Sequence, residues 1–377
     1  GDKIDSVTVT GTQTLVGSSE NIASAAKIVN AKGEDVTAGY EITYKPGKLT
    51  VSDGTNPGDD PLDPDDVATK THDGKEYKYG DTITWTITVT NIYDEAKTIT
   101  LSEQEGVTLS QSVFENVAAG AEITATASYT VQASDVEKTY TNKVKVSFAG
   151  GTTTEQEDEV PEIKKKEIEI TAESDSKVYD GEALTNEGYK LTGGALAEGD
   201  EIENVKVEGS QTLVGESDNV ASEAKIVNAA GEDVTAGYEI SYVNGTLKVT
   251  DGTEPDDPNP VPDDKVVIKT DGEANDNRKY ALGETVEWTI SVTNIYDEEK
   301  SLEVTEKPGM TILGDVPATL GAGEVISITV QHVVTAEDIA AEAIQNEVTV
   351  NLGDLSKRGE DEVETANKHI NFTKTAI

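Results

Sequence analysis

Cysteine is absent from this 377-residue sequence, which excludes disulfides, thiolate metal centres and cysteine nucleophiles. Three histidines and three phenylalanines leave few general bases and few aromatic anchors. Basic residues are scarce too: 30 Lys and Arg stand against 73 Asp and Glu, a net charge of -43. Such a surplus repels phosphate backbones and anionic lipid, so neither nucleic-acid binding nor direct membrane contact is expected. No run of about 18 apolar residues occurs and no signal segment opens the chain, so export and anchoring are expected to lie outside these residues. A phosphate loop, a nucleophile–base–acid set and a spaced metal-ligand cluster are all missing, and the expectation is a protein that is not an enzyme.

What is present is repetition. Residues 1–50 and the stretch beginning at Gly199 align without a gap and are roughly two thirds identical, and a long fixed period is the first thing to seek in a sequence. The residues after each copy are duplicated as well: an acidic, proline-containing run, then VATKTHDGKEYKYGDTITWTITVTNIYDE or VVIKTDGEANDNRKYALGETVEWTISVTNIYDE. The order is A, linker, B, A, linker, B. The expected segments are 1–51 (partial A), 52–66 (linker), 67–160 (B), 161–250 (complete A), 251–264 (linker), 265–367 (B) and 368–377, the first strand of a following A. A spacer gains length from each copy, whereas an enzyme seldom needs its architecture twice in line.

The B segments alternate with period two, as half-buried strands do. Ile83, Trp85, Ile87 and Val89 share one face against Thr84, Thr86, Thr88 and Thr90, and Val286, Trp288, Ile290 and Val292 repeat the pattern. Residues 121–131 and 326–334 alternate likewise, with turn residues at sandwich-like spacing, and short helical turns are expected at 133–138 and 336–343. The A unit reads as strands KEIEIT, NVKVEG, EAKIVNA, YEISY and GTLKVT separated by turn chemistry. The fold class expected is therefore all-β, an elongated tandem array of small antiparallel β-sandwiches and a second type of β-domain. Proline and like charge predict extended linkers. Their carboxylates offer calcium a place to collect, but without the ligand spacing of a dedicated loop, so no cofactor is expected.

KVYDG (177–181), LAEGD (196–200), NVASEAKIVNAAGEDVTAGY (219–238) and NGTLKVT (244–250) make the A unit resemble the MBG-type repeats of large bacterial adhesins. YGDTITWTITVTN (79–91), VAAGAEITATASYTV (117–131) and TNKVKVSF (141–148) make the B unit resemble the Ig-like conserved repeat domain of many cell-wall proteins, and LGETVEWTISVTN, LGAGEVISITV and QNEVTVNL do the same for its second copy. The resemblance implies an extracellular stalk or adhesin on the surface or in the wall of a bacterium, of the Gram-positive kind. A host glycan or host protein is the partner such repeats imply. Head-to-tail self-association, with the 369–377 strand completing the short first A unit of another chain, is an alternative, as is excision from a longer array.

Some Ig-like surface domains are closed by a spontaneous lysine–asparagine bond with an acid beside it, and strand phase lets the residues be sought here. Asn142 shares a face with Val144, Val146 and Phe148, and Asn346 with Val348, Val350 and Leu352, on what reads as the last strand of each B unit. An inward asparagine, twice, is unusual for a solvated residue. Glu103 is in phase with Ile99 and Leu101, Glu306 with Leu302 and Val304, and the first-strand lysines are Lys70 and Lys269. Related domains more often carry aspartate where Glu103 and Glu306 stand. The other reading of these residues is asparagines bonding backbone at strand ends and glutamates on a wet rim. Asn91 and Asn294 read as turn caps, His332, Trp85 and Trp288 as core positions, and the lysines at 164–166 as local charge balance.

Overall fold

The computed structural model describes residues 1–271, 278–368 and 373; the expected strand at 368–377 lies almost wholly outside the described residues. The protein is all-β and multi-domain. Its first strands are β1 (Lys3–Thr10), β2 (Gly17–Val29) and β3 (Gly47–Val51). The first B segment forms β4 (Ala68–His72), β5 (Thr82–Thr90), β6 (Lys97–Glu103), β7 (Thr108–Leu109), β8 (Val113–Val117), β9 (Glu122–Thr130), β10 (Tyr140–Phe148) and β11 (Thr153–Val160). The complete A segment forms β12 (Lys166–Ala172), β13 (Asp175–Val178), β14 (Tyr189–Gly194), β15 (Glu201–Glu208), β16 (Gly215–Val227), β17 (Tyr238–Val243) and β18 (Gly245–Thr250). The second B segment forms β19 (Val267–Thr270), β20 (Lys279–Ala281), β21 (Thr285–Thr293), β22 (Lys300–Glu306), β23 (Thr311–Leu313), β24 (Thr319–Leu320), β25 (Val325–Val333), helix α1 (Ala336–Ala341), β26 (Ala343–Leu352) and β27 (Leu355–Ala366).

The chain divides into two compact units, one made of 1–167, 195–201 and 226–239, the other of 168–194, 202–225 and 240–377. In the first, strands order as β4-β5-β9-β7 in one sheet and β11-β10-β6-β8 in another. Alternation decides the packing: Ile83, Trp85, Ile87 and Val89 are fully buried, as are Ile99, Val144 and Val146 of the other sheet, while threonines face outward. The second unit repeats this with β19-β21-β25-β23 and β20-β27-β26-β22-β24 around Trp288, Ile290, Val330, Val348 and Val350. The helical turns expected near 133 and 336 are a 3-10 turn at Ala133–Asp135 and α1, each opened by a capping box.

Strands β13 and β14 were not expected from sequence, because DSKV and YKLTGG carry no alternating apolar face. β13 runs parallel to β18, and β18 pairs antiparallel with β16.

The linkers differ from the extended form expected of them. Asp53 and Asp251 each accept from the backbone N–H and hydroxyl of a threonine two residues on (Thr55, Thr253), closing tight turns. Gly54 (φ 75°) and Gly252 (φ 77°) then let the chain fold back, so closely that a Cβ on Gly252 would fall 2.4 Å from Pro260 Cα. Val261 consequently enters the core of the second sandwich. Local side-chain bonds outweigh like-charge repulsion here.

In each unit, linker and sandwich are knitted to the preceding A strand by the same contacts. Val16 N–H donates to Ile92 O (2.8 Å) and accepts at its own carbonyl from Asp94 N–H (3.0 Å); Val214, Ile295 and Asp297 repeat this at 2.7 and 3.0 Å. Tyr93 Oη donates to Asp53 and Tyr296 Oη to Asp251, both at 2.6 Å. Burial works to raise these aspartates, yet bonds from the threonine and tyrosine hydroxyls hold both below the usual carboxylate range. The duplicated words QTLVG and NIYDE are thus the two halves of a junction.

Candidate functional site

Lys70 lies on β4, opposite Ile87 of β5, and points into the first sandwich. From the facing sheet, Glu103 ends β6 opposite Val144, and Asn142 stands two residues before Val144 on the same inward face of β10. Lys70 Nζ donates to Glu103 Oε1 at 2.7 Å, with side chains 0% and 2% exposed. The second sandwich repeats the cluster: Lys269 Nζ donates to Glu306 Oε1 and Oε2 at 2.6 and 2.8 Å, with side chains 0% and 5% exposed, and Asn346 is 1% exposed. Each lysine–glutamate pair therefore spans the sandwich, and each asparagine is sealed beside it.

The asparagines carry the informative detail. Among the described residues, Asn142 and Asn346 make no hydrogen bond of good geometry through either side-chain amide atom, and Glu103 makes none through Oε2, although Asn142 lies near enough to Glu103 to work against the rise of its carboxyl. A buried unsatisfied polar atom costs about 1–3 kcal/mol, so a fold that keeps the same ones twice is carrying a cost that packing alone does not explain. The strand-end backbone bonds and wet rim considered for these residues are not what the structure places there. Burial pushes the Lys70 and Lys269 amines down, against the pull of Glu103 and Glu306, and pushes the Glu103 carboxyl up. In the first sandwich both directions lead toward a neutral amine beside a neutral acid, with Asn142 inward on the strand that pairs with that of Glu103.

The strand that carries the asparagines differs from the one expected. Asn142 and Asn346 sit on the penultimate strands β10 and β26, not the last. Each is succeeded by a hairpin return, β11 or β27, in which Asp158 faces Asn142 and Asp361 faces Asn346. The final strand escaped notice in the sequence because the inward positions of β11 include Thr154, Gln156 and Asp158 rather than apolar residues.

Those aspartates are the functional candidates the sequence reading missed. Trp85 Nε1 donates to Asp158 at 2.9 Å and Trp288 Nε1 to Asp361 at 3.0 Å. The identical tetrapeptide EDEV at 157–160 and 360–363 was the available signal. The indoles themselves are core, as expected. Asn91 and Asn294 cap turns and are also fully buried, each donating to three carbonyls. His332 shares the face of Ile328 and Val330 but is half-buried, bonded through Nε2 to Asp338 (2.8 Å) and Nδ1 to Gly309 O (3.0 Å). Lys164 and Lys165 pair with Glu162 and Glu137. Among the described residues no group of three or more His, Asp or Glu is placed to hold a metal, and no helix is long and apolar enough to cross a membrane.

No protein-family model and no curated protein matches the chain. Among solved structures it is similar to an ICAM-5 D1-D4 ectodomain fragment (11% identity, 96% of this chain and 92% of that one, TM-score 0.29). It is similar also to PcdhgB3 EC1-4 (10% identity, 96% and 92%, TM-score 0.25). An endo-fucoidan hydrolase variant of glycoside hydrolase family 107 matches at 10% identity over 78% of this chain, which spans 43% of that enzyme, at a TM-score of 0.23. Likeness this distant carries no functional argument.

Proposed function

We propose that this chain is a stalk segment, built to carry tension, of a bacterial cell-surface protein, displayed outside the cell and free of catalytic turnover, whose Ig-like units are each closed by one lysine–asparagine amide bond. The observation that carries the reading is the twofold recurrence of a sealed Lys–Glu–Asn cluster whose asparagine amide makes no hydrogen bond of good geometry. Tandem duplication and the repeated, knitted junctions serve the same end, since a spacer under tension needs modules and joints that resist opening.

The chemistry balances without a co-reactant. The neutral Lys70 amine donates its lone pair to Asn142 Cγ while Glu103, protonated, donates a hydrogen bond to the amide oxygen. The Cγ–Nδ2 bond breaks, Nδ2 leaves as ammonia with a lysine proton relayed by the glutamate, and a Nζ–Cγ amide remains. Fixed neighbours make such a step feasible without turnover, because effective molarities for well-oriented groups reach about 10⁵ M or more. Lys269, Glu306 and Asn346 have the same roles. Intact-mass measurement of the folded chain is expected to show two ammonia masses missing, and one missing in Lys70→Ala or Asn142→Ala. A mass equal to the sequence ends the proposal.

A further inference from the structure

We infer that Asp158 and Asp361 are positioning residues for the lysine–asparagine bond, each a strut that holds the lysine strand against the asparagine strand. The inference rests on the bond-forming reading above and adds to it a residue on which that reading does not depend.

The lysine and the asparagine belong to different sheets, so nothing in the ladder hydrogen bonds fixes their separation. The aspartate does. Asp158 lies on β11 directly across from Asn142, and its carboxylate reaches over to the other sheet. There it meets two groups: the Nδ1 of His72 at 2.6 Å, two residues beyond Lys70 on the same strand, and Nε1 of Trp85 at 2.9 Å on β5. The Trp85 ring in turn lies under the lysine, 5.4 Å from Nζ to its centroid.

The second sandwich reaches the same result with different chemistry. Asp361 lies across from Asn346 and accepts from Trp288 Nε1 at 3.0 Å. Its second donor is the backbone N–H of Asp271 (2.9 Å), again two residues past the lysine. A side chain in one copy and a peptide group in the other converge on one carboxylate position. What is shared is the tie between lysine strand and asparagine strand at the height of the reacting atoms.

The charge of the aspartate works against the reaction, since it favours the lysine cation in both units. Its contribution is therefore geometric, and misplacement of reacting groups by about 1 Å can cost on the order of 10²-fold in rate. This separates the strut from a general electrostatic role.

The test uses the full chain, pulse-labelled during expression, acid-quenched at intervals and digested, with the cross-linked peptides of the two sandwiches quantified by mass. Asp158→Ala is expected to slow bond formation in the first sandwich at least tenfold and leave the second at wild-type speed. Asp158→Asn keeps an oxygen for the indole N–H and removes the charge, so it should react as fast as wild type or faster. The double variant His72→Phe, Trp85→Phe, which keeps both rings and removes both donors to the carboxylate, should lag like the alanine variant and decides the matter should Asp158→Ala fail to fold. Equal rates in wild type, Asp158→Ala and the double variant overturn the strut while the bond itself stands; wild-type chain that loses no ammonia overturns both.

Discussion

The two sandwiches differ where their sequences were free to drift and agree where the buried cluster sits. The first holds its aspartate with a histidine ring, the second with a peptide N–H. The first anchors its short 3-10 turn with Tyr129 Oη on Asp135, the second anchors α1 with His332 on Asp338. Yet Lys70 and Lys269, Glu103 and Glu306, and Asn142 and Asn346 occupy one arrangement. Supporting contacts are exchangeable as long as they deliver the same geometry, whereas a lysine–glutamate pair enclosed beside an inward asparagine amide has no cheaper substitute with the same chemistry.

The sharpest way to break this comparison is to remove the acids. Removing the acid leaves a buried lysine amine without its partner and, on the proposed chemistry, without the proton relay that forms the bond; breaking a buried pair in this way costs about 3–5 kcal/mol. Glu103→Ala should destabilise the first sandwich by that much and leave the second unchanged, and Glu306→Ala should do the converse, read by urea unfolding with hydrogen exchange resolving the two. A loss from only one of the two substitutions would mean that the clusters are not equivalent.

The junctions come next. Gly17 (φ 148°) and Gly215 (φ 152°) have a backbone that L side chains rarely adopt, and a Cβ at either would fall 1.9 Å from an Asp94 or Asp297 carboxylate oxygen. Gly17→Ala and Gly215→Ala should each cost about 1–3 kcal/mol, with faster amide exchange at Val16 or Val214 as the local signature. Unequal effects would show that one junction is tighter than the other.

The penultimate placement of the asparagines makes a mechanical prediction of its own. A bond from Lys70 to Asn142 takes 71–141 out of the load path but leaves 143–160 in it. Pulled by its ends, a bonded sandwich should lengthen by no more than that hairpin, on the order of 60 Å at about 3.3–3.6 Å per residue. Single-molecule stretching that releases the whole sandwich in wild-type chain would contradict it.

Much of this was legible in sequence. Period-two alternation located Trp85, Val144 and their counterparts, and the same phase put Asn142 and Glu103 on inward faces, because a strand offers only two directions to a side chain. What could not be read depends on groups that meet across long separations. The fold-back of the linkers arises from hydroxyl and tyrosine bonds to Asp53 and Asp251, which composition hides behind the charge. β11 was hidden because a polar inward face gives no hydrophobic period, and with it went the aspartate strut.

The smallest expected difference lies at the turn that follows β9 or β25 and concerns pH. Burial works to lower the His332 imidazole, but the bonds to Asp338 and to Gly309 O outweigh it and raise it above its ordinary value, while Asp338 is held below the carboxylate range. A group with a raised folded value stabilises the fold fully below its unfolded pKa, near 6.5, and that contribution is lost as pH rises through the folded value. Around α1 the facing groups are Asp338 and Glu337 on the helix itself, with Lys307 and Glu362 on the neighbouring segments. Tyr129, which fills the same position in the first sandwich, is raised by burial and by Asp135, far from neutrality. Between pH 6 and pH 8 the amides of α1 should therefore exchange progressively faster relative to those of Ala133–Asp135, and His332→Tyr should flatten the difference. Parallel pH profiles in the two turns would show that the His332–Asp338 bond is not what holds the helix down.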